Sequence, residues 1–427
     1  MLFKQYLKQP NTMNYFDYKD GHLKSEDIFI TNITKKVHTP FYCYSAKGLK
    51  INFNILKDAF KDIDTKICYA TKSNSNLSIL KLLQEEGAGA DVVSVGELKK
   101  SLIANIDPKN IVFSGVGKTK DEIEYAIVNR IFQINAESIS ELYVINKIAK
   151  ELGVVQQVGI RINPDIIGET HKNISTGGLS DKFGIPYSEV KSLYHDKESF
   201  KNIELSGIAF HIGSQIHDIE PFRNVFIKTN DLIKEINKSE KIIKTIDLGG
   251  GFGVDYEDNH REFPIQEYAN LVKNSFDTKN FQFIIEPGRS ISWNTGILVT
   301  KILYIKKHGE KKFIITDCGM NDLMRPALYD SYHKILPLSK IIDSEIISTD
   351  IVGPICESTD KLFSSEEFYD VKEGEFLAIL NSGAYGSSMS SNYNARPLVS
   401  EILINEDNFT TIRKLQSFED SIAQEIK

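Results

Sequence analysis

The stretch KICYATKSNSNLSIL, residues 66–80, contains one strand, one turn and the start of one helix. Residues 67–71 are apolar, aromatic or β-branched, which favours a buried strand. The cluster SNSN that follows Lys72 is typical of residues that end strands and cap helices. Lys72 therefore lies where a strand ends and a βα turn begins. On these residues alone it is more often an ordinary solvated lysine than a reactive amine.

The same pattern of strand and helix recurs from about residue 65 to residue 287. Eight short apolar segments predict strands, in chain order KICYAT, GADVVS, NIVFSG, IFQIN, QVGIRIN, SGIAFHI, KTIDLGG and FQFIIEPG. Amphipathic stretches such as LSILKLLQEE and AESISELYVINKIAKEL separate them and predict helices. Eight βα units in series, joined by right-handed crossovers, favour a closed (β/α)8 barrel. A doubly wound open sheet is the alternative.

The pattern changes after residue 287. The segments TGILVTKILYIKK, KKFIITDCG, EIISTDIVG and EGEFLAILNSGAYG have the composition of strands, with few helices between them. They predict a mainly antiparallel β domain. We therefore expect an α/β protein in which the barrel covers residues 36–287 and the β domain covers residues 288–427. The segment 1–35 contains further strand signals, and we expect it to join the β domain.

The composition is that of a globular protein, with 41% hydrophobic and 26% charged residues and a net charge of −7. This charge gives no electrostatic reason to expect nucleic acid or an acidic membrane as a partner. The first ten residues lack the apolar core of a signal peptide, and no apolar run approaches the roughly 20 residues that span a bilayer. Four scattered cysteines without a CxxC pair suit a reducing compartment, so we expect a cytoplasmic protein.

Residues able to carry chemistry fall at the predicted ends of the barrel strands. Lys72 ends the first strand, His211 the sixth and Glu286 the eighth, and a glycine-rich turn at 249–253 follows the seventh. Ligands of such barrels bind at the carboxyl ends of the strands, so one shared active site explains all four features. We expect no metal, because His217 is the only nearby partner of His211 and the chain has no HExxH or CxxC motif.

Two of these segments predict an anion site and a partner for a ring nitrogen. In DLGGGFGVD (247–255), four glycines allow backbone amides to approach a phosphate, although plain loop geometry is an equally common reason for such a turn. Ser214 can donate to the same phosphate. In FIIEPGRS (283–290), Glu286 can hold a proton on a heteroaromatic nitrogen, and Arg289 can bind a carboxylate or phosphate. The alternative for this second segment is a surface turn with an ion pair.

Three segments of the β domain are rich in polar groups. DCGMNDLMRPALYD (317–330) places Arg325 and Tyr329 four residues apart, so that one helical turn can present both on one face. GPICESTD (353–360) places Cys356 beside Glu357, although a buried cysteine that only packs is the commoner case. LNSGAYGSSMSSNYNARP (380–397) predicts a long flexible loop over a ligand, with Tyr385 between glycines.

Eight motifs follow one another over residues 69–397: YATKSN, VSVGEL, FHIGSQ, DLGGGFG, EPGR, DCGMNDLMRPALY, GPICESTD and GAYGSSMSSNYNARP. Together they resemble the diaminopimelate decarboxylases, pyridoxal-phosphate enzymes of the alanine racemase-like barrel fold and relatives of the class II ornithine, lysine and arginine decarboxylases. The resemblance covers nearly the whole chain. Val95 and Thr359 stand where many relatives have glycine, and neither departure removes a functional group.

The resemblance implies roles for individual residues, with pyridoxal 5′-phosphate as the cofactor. Lys72 resembles the Schiff-base lysine, His211 the ring that stacks on the cofactor, and Cys356 the acid that protonates the carbanion. The residues implied to bind the cofactor are Lys72, His211, Ser214, Gly249, Gly250, Gly251, Gly253, Glu286, Pro287, Gly288, Arg289 and Tyr385. Those implied to bind the substrate are Arg289, Arg325, Tyr329, Glu357 and Tyr385.

The resemblance also implies the reaction, the decarboxylation of meso-2,6-diaminopimelate to L-lysine and CO2. The mixture of Arg289, Arg325 and Glu357 suits a substrate whose far end carries both a carboxylate and an ammonium. In the family, Cys356 and Glu357 enter the active site of the partner subunit, so we expect a homodimer with shared active sites. The alternatives are a polyamine-pathway decarboxylase of the carboxynorspermidine or ornithine type, and a non-catalytic decarboxylase-like regulator.

Overall fold

The structure is a computed structural model that describes residues 15–164, 166, 182–196, 198–238, 240–257 and 262–425. The chain divides into two compact units. The barrel unit comprises residues 52–254 and 261–291, and the β unit comprises residues 1–51, 255–260 and 292–427. Of the N-terminal segment predicted to join the β domain, residues 1–14 lie outside the described residues. The domain boundaries expected from the sequence stay a prediction.

Strands and helices alternate through the barrel unit, whereas strands predominate in the β unit. The strands are β1 (Asp17–Lys19), β2 (His22–Ser25), β3 (Ile28–Phe29), β4 (Phe41–Ser45), β5 (Thr65–Ala70), β6 (Gly89–Val92), β7 (Ile111–Phe113), β8 (Gln133–Ala136), β9 (Gln156–Asn163), β10 (Ile185–Pro186), β11 (Ile203–Ala209), β12 (Thr245–Asp247), β13 (Gln282–Ile285), β14 (Gly296–His308), β15 (Lys311–Thr316), β16 (Ile335–Pro337), β17 (Ser344–Val352), β18 (Lys361–Tyr369), β19 (Phe376–Ile379), β20 (Ser400–Asn405) and β21 (Asn408–Arg413). The helices are α1 (Ile30–Thr34), α2 (Ala46–Ala59), α3 (Leu77–Glu85), α4 (Val95–Ile103), α5 (Lys120–Val128), α6 (Ile139–Glu151), α7 (Tyr187–His195), α8 (Glu220–Ile236), α9 (Ile265–Ser275), α10 (Arg289–Ser292), α11 (Arg325–Tyr329) and α12 (Phe418–Ile422). Within the described ranges, no helix is long and apolar enough to cross a bilayer.

The barrel unit contains a closed sheet of eight parallel strands. They follow the order β5-β6-β7-β8-β9-β11-β12-β13, and β13 pairs with β5 to complete the circle. In that closing pair Phe283 lies opposite Thr65, and Ile285 lies opposite Ile67. All eight predicted strand segments are present, so the barrel is confirmed and the open sheet was the wrong alternative. Closure brings the carboxyl ends of the first and the last strand side by side.

Side-chain caps fix where several barrel helices begin. Asn76 precedes α3 and accepts a hydrogen bond from the amide of Ser78, as the SNSN cluster predicts. Thr119 and Glu122 form a reciprocal capping box at the start of α5. Ser138 precedes α6 and accepts from the amide of Glu141. These caps end each βα turn at a fixed residue, which in turn fixes the side chains at the strand ends.

The interior of the barrel includes a hydrogen-bonded layer of polar side chains. Asn135 on β8 donates to Asp247 on β12 at 2.8 Å, and Gln133 donates to the side-chain oxygen of Asn135 at 2.7 Å. Thr245 donates to Gln133 at 2.7 Å. A Cβ atom at Gly207 would lie 2.5 Å from Oε1 of the Gln133 side chain, so a glycine is required there. All these polar groups are buried, and their mutual hydrogen bonds offset the free-energy cost of removing them from water.

The β unit is built around a mixed, mainly antiparallel sheet with the order β18-β17-β15-β14-β4-β20-β21. β14 also pairs with β19, which in turn pairs with β16. The pairs β15–β17 and β4–β20 are parallel, and the other pairs in this sheet are antiparallel. The strands β1, β2 and β3 form a small separate sheet. The expected fold class, a barrel plus a mainly antiparallel β domain, is therefore confirmed.

The barrel interior generates a pH-dependent stability prediction at Asp247. Burial raises the pKa of Asp247 to about 6 from its ordinary 3.8, so the folded carboxyl holds its proton more tightly than the unfolded one does. Its contribution to stability is complete below pH 3.8 and is lost as the pH rises through about 6. We expect the free energy of unfolding of the wild type to fall, relative to that of Asp247→Asn, as the pH rises across this range. Urea titrations of both proteins at several pH values measure this difference. A difference between the two proteins that stays constant with pH would contradict this.

Candidate active site

An ion pair holds Lys72 at the rim of the barrel. Its Nζ lies 2.9 Å from Oδ2 of Asp91, the third residue of β6. The Lys72 side chain is 39% exposed, whereas that of Asp91 is fully buried. The amine is therefore reachable at the end of β5 while its counter-ion is fixed in the barrel. Lys72 is thus partly exposed but held in an ion pair, unlike the free solvated lysine that its local sequence favours.

Hydrogen bonds also fix the short 3-10 turn that contains Lys72. Thr71 donates to the side chain of Glu97 at 2.6 Å and contacts the carbonyl of Asp91 at 2.9 Å. Ser73 donates to the carbonyl of Ala70 at 2.9 Å. The two neighbours of Lys72 are both buried and both bonded, so the backbone on either side of the amine is held. This arrangement restricts the positions that the lysine side chain can reach.

His211 follows β11 and is a neutral imidazole. Burial, helped by the positive charges of Arg161 and Lys72, lowers its pKa well below the usual range. Its Nδ1 accepts a hydrogen bond from the amide of Gly250 at 3.2 Å. The ring is thus tied to the glycine-rich turn and carries no charge at neutral pH. A neutral ring in this position can lie against a flat aromatic ligand.

The glycine-rich turn after β12 folds tightly against the segment that contains Ser214. The amide of Ile216 donates to the carbonyl of Gly251 at 3.0 Å, and the amide of Gly253 donates back to Ile216 at 2.8 Å. Gly251 has a φ of +93°, and a Cβ atom there would lie 2.2 Å from the carbonyl oxygen of Gly213. Only glycine meets both conditions at this position. The sequence predicted the turn, and the structure gives the reason for its composition.

Arg289 and Ser214 lie together beside this turn. Nη2 of Arg289 is 3.3 Å from the hydroxyl oxygen of Ser214. Arg289 begins α10, directly after the Pro287-Gly288 pair. The amide of Ala70 donates to the carbonyl of Pro287 at 3.0 Å, and a Cβ atom at Gly288 would lie 2.9 Å from that of Ala70. The EPGR motif therefore packs on the end of β5 instead of forming a surface turn.

Glu286 is a buried carboxylic acid just beyond β13. Ser114 donates to its Oε1 at 3.2 Å, and its side chain hydrogen-bonds to that of Asp247. Burial raises the pKa of Glu286 well above its usual range, and the charges of Asp247 and Asp91 raise it further. Glu286 therefore holds its proton more tightly than an ordinary glutamate does, and it hydrogen-bonds to Asp247. Glu286 can give up this proton to a basic nitrogen that faces it.

In the β unit, the guanidinium of Arg325 is buried at the start of α11, which ends at Tyr329. Its Nη1 is 3.1 Å from Nε2 of His333, whose Nδ1 is 2.9 Å from the carbonyl oxygen of Leu380. Since the carbonyl can only accept, Nδ1 donates to it and Nε2 accepts from Arg325, which assigns the neutral tautomer to His333. The guanidinium also lies 4.5 Å from the centre of the Tyr256 ring. These contacts orient the guanidinium.

Cys356 and Glu357 are exposed neighbours in the loop between β17 and β18. The amide of Cys356 donates to Oδ1 of Asn394 at 3.0 Å. Glu357 accepts from the hydroxyls of Thr359 and Tyr393, and these hydrogen bonds lower its pKa. Cys356 is thus not the buried packing residue that a cysteine often is. Its thiol and the neighbouring carboxylate both belong to the accessible surface of the β unit.

The segment 380–397 differs from the flexible loop that its composition predicts. It contains two short 3-10 turns, Ser387–Met389 and Tyr393–Ala395, and Tyr385 has a left-handed backbone with φ of 57°. The amide of Ser391 donates to the carbonyl of Asn321 at 2.9 Å, and Arg396 donates to the carbonyl of Asp317 at 2.8 Å. Long-range hydrogen bonds of this kind cannot be read from a glycine- and serine-rich sequence.

Sequence reasoning missed three acids of the barrel rim: Asp91 and Asp247, which are buried, and Glu97, which is half-buried. Asp91 and Asp247 lie in short apolar strands. Side-chain alternation places Asp91 on the same face as Gly89, but it does not tell which face points into the barrel. Glu97 lies in the VSVGEL motif, but its contact with Thr71 depends on how β5 and β6 pair.

The rim of the barrel supplies the groups that a phosphorylated aromatic aldehyde needs. Lys72 offers an amine, Glu286 an acid for a ring nitrogen and His211 a neutral ring. Ser214, Arg289 and the turn 249–253 offer donors for a phosphate. Side chains on the glycines of this turn would clash with neighbouring atoms, so only glycine allows the backbone to fold so closely there. Pyridoxal phosphate, the implied cofactor, fits this set. Among the described residues, no group of three or more His, Cys, Asp or Glu side chains is arranged to hold a metal ion.

Comparison with known proteins agrees with this chemistry. Residues 48–293 match the family model of the pyridoxal-dependent decarboxylase, pyridoxal binding domain. The chain is 42% identical to the diaminopimelate decarboxylase of Aquifex aeolicus over 405 residues, covering 95% of this chain and 96% of that relative. It is 39% identical to the diaminopimelate decarboxylase of Haemophilus influenzae over 414 residues, covering 97% of this chain and 99% of that relative.

A solved structure gives the same result for the fold. The crystal structure of diaminopimelate decarboxylase from Helicobacter pylori complexed with L-lysine matches with a TM-score of 0.89 and 40% identity. The match covers 93% of this chain and 99% of that one. The similarity thus extends over both units. The chain therefore belongs to the diaminopimelate decarboxylase family of pyridoxal-dependent decarboxylases.

Proposed function

We propose that this chain is a carboxy-lyase that converts meso-2,6-diaminopimelate to L-lysine and CO2 with pyridoxal phosphate as cofactor. The observation that carries the proposal is the set of groups at one barrel rim, where the Lys72–Asp91 ion pair, the Ser214–Arg289 contact and the acid Glu286 follow neighbouring strands. The relatives named diaminopimelate decarboxylase, about 40% identical over nearly the whole chain, support the substrate.

The residues that would hold the cofactor follow from their chemistry. Lys72 supplies the amine that carries it, and Arg289, Ser214 and the turn 249–253 bind its phosphate. When bound, pyridoxal phosphate withdraws electrons from the α-carbon of the substrate, so that the bond to the carboxylate can break. His211 would lie against the ring, and its neutral state would avoid a repulsive positive charge there.

Glu286 keeps the ring nitrogen protonated in this proposal. Its raised pKa means that it carries a proton when no base faces it. Facing a pyridine nitrogen, Glu286 would serve as its acidic partner, with one carboxyl oxygen held by Ser114. Burial and the neighbouring Asp247 raise the pKa of Glu286, so Asp247 would influence how tightly Glu286 holds its proton.

Asp91 controls the amine of Lys72. Nζ of Lys72 would form the covalent link to the cofactor. Asp91 is fully buried and lies 2.9 Å from this amine, so it would hold Nζ at the rim of the barrel. The hydrogen bonds of Thr71 and Ser73 keep the lysine at the same position throughout.

Arg289, Arg325, Tyr329, Glu357 and Tyr385 are proposed to bind the substrate, Tyr385 also touching the cofactor. The distal end of diaminopimelate carries a carboxylate and an ammonium, which need a cation and an anion respectively. Arg325 supplies the cation and Glu357 the anion. A polyamine-type substrate of the ornithine class has only an ammonium there, and the buried charge of Arg325 would repel it. The proton that replaces CO2 on the α-carbon is proposed to come from the thiol of Cys356.

The proposed assembly is a homodimer in which Cys356 and Glu357 of each chain complete the active site of the partner subunit. Two observations support it. Cys356 and Glu357 are exposed in the isolated chain, although both are proposed to act on a bound substrate. The family resemblance implies the same arrangement. We also propose that the enzyme is cytoplasmic, since none of its four cysteines is in a disulfide.

A substrate panel tests the proposed reaction. Incubated with pyridoxal phosphate, the purified protein is expected to release CO2 and L-lysine from meso-diaminopimelate, and to act on L-ornithine or L-lysine at least about 100-fold more slowly because the distal cation of the site stays unpaired. The Lys72→Ala variant is the control for non-enzymatic release. Release of CO2 from ornithine but not from diaminopimelate would contradict the proposal.

Complementation between two inactive variants tests the shared active sites. Lys72→Ala and Cys356→Ala are each expected to be inactive as homodimers. When both chains are produced together, half of the dimers are mixed and each mixed dimer has one intact site of two, so about a quarter of the wild-type activity should return. Mixed dimers verified by differential tags that show no recovered activity would exclude shared sites.

A further inference from the structure

Glu357 has both of its carboxylate oxygens held by hydroxyl groups. The hydroxyl of Thr359 donates to Oε1, and the hydroxyl of Tyr393 donates to Oε2 at 2.9 Å. These hydrogen bonds lower the pKa of Glu357. An exposed glutamate with neither donor would rotate among several conformations. Here the carboxylate is ionised and held in one orientation.

The two donors come from separate segments that are fixed to a common loop. Tyr393 belongs to the turn 393–395, which follows Ser391, whose amide donates to the carbonyl of Asn321. Thr359 precedes Asp360, whose carboxylate accepts from the amides of Met320 at 2.6 Å and Ile355 at 2.7 Å. The loop 317–323, which contains Met320 and Asn321, therefore anchors both the Tyr393 segment and the Thr359 segment. The same loop leads into Arg325, the proposed cation of the substrate site.

The backbone of the turn supports this arrangement. Asn394 has a left-handed conformation with φ of 56°, and its side chain accepts from the amide of Cys356. Ala395 also has a positive φ, of 55°, which is unfavourable for alanine. The surrounding hydrogen bonds hold this strained turn in place, and with it the hydroxyl of Tyr393.

The hydroxyl of Thr359 therefore adds a second donor, beside that of Tyr393, to a carboxylate proposed to bind substrate.

The reaction identifies which part of a ligand Glu357 would face. Decarboxylation replaces one carboxylate by hydrogen and leaves the distal amino-acid head unchanged. That head becomes the α-ammonium and α-carboxylate of the product, L-lysine. We propose that Thr359 and Tyr393 are positioning residues that orient Glu357 towards the α-ammonium of this head, and so determine specificity for ligands that carry it. This inference rests on the proposed function.

Equilibrium binding to the holoenzyme separates orientation from general damage. L-lysine presents both the α-ammonium and the α-carboxylate, whereas 6-aminohexanoate has the same chain and carboxylate but lacks the α-ammonium. Calorimetry should give a Kd for L-lysine that is raised about 5-fold in Thr359→Val and in Tyr393→Phe, and more in the double variant, because each removes a hydrogen bond to a charged group. The Kd for 6-aminohexanoate should change less than about 2-fold, because Glu357 does not contact it.

Two control variants accompany the measurement. Thr359→Ser keeps a hydroxyl and should retain the wild-type Kd for L-lysine. Tyr143→Phe removes the hydroxyl of an exposed tyrosine on α6 and should change neither Kd. Thr359, Tyr393 and Tyr143 are all exposed, so the variants are expected to fold. For meso-diaminopimelate, the KM of Thr359→Val and Tyr393→Phe should rise while kcat stays within about 2-fold, because the chemical step is left intact.

The outcomes distinguish this inference from the proposed function. If the wild type binds L-lysine no more tightly than 6-aminohexanoate, or Glu357→Gln binds L-lysine as the wild type does, Glu357 does not bind the α-ammonium and the positioning role is overturned with it. The proposed reaction is overturned separately, if the substrate panel shows no release of CO2 from diaminopimelate. If the wild type discriminates and Thr359→Val and Tyr393→Phe discriminate equally well, only the positioning role is overturned. Equal weakening of both ligands in these variants would also overturn it, because it would indicate general damage.

Discussion

The pairing of the last barrel strand with the first is the constraint on which the site depends. Without the contact of β13 with β5, Lys72 and Glu286 would stand at opposite edges of an open sheet. With it, the amide of Ala70 donates to the carbonyl of Pro287, and the two chain segments that carry the amine and the acid run side by side. The fold thus brings Lys72 and Glu286, more than 200 positions apart in the sequence, to the same rim of the barrel. Each strand end then contributes a group whose neighbours are fixed by the sheet.

The electrostatics of the rim follow from burying several acids near one amine. Asp91 forms an ion pair with Lys72, whereas Glu286 and Asp247 hydrogen-bond to each other. Burial raises the pKa of both Glu286 and Asp247. The rim thus combines a carboxylate that holds the amine with a pair of acids that retain a proton more readily than free carboxyl groups do.

Much of this arrangement could be predicted from the sequence. The strand segments, the position of Lys72 and the glycine turn follow from hydrophobic periodicity and from the residues that end strands. Asp91 and Asp247 could not be predicted, because each sits in a short apolar strand and its partner is decided by the pairing of strands. The segment 380–397 was predicted to be flexible from its composition. Its order comes from hydrogen bonds to the carbonyl groups of Asn321 and Asp317, which no local pattern encodes.

The central claim is that the Lys72 amine, held by Asp91 at the closed rim, carries the cofactor. The most direct measurement is reduction of the holoenzyme with sodium borohydride, followed by proteolysis and mass spectrometry to locate the phosphopyridoxyl group. We expect the peptide containing Lys72 to carry this group in nearly all molecules of the wild type, and the Lys72→Ala protein to carry none. A label on a different lysine of the wild type, or an equally labelled Lys72→Ala protein, would contradict it.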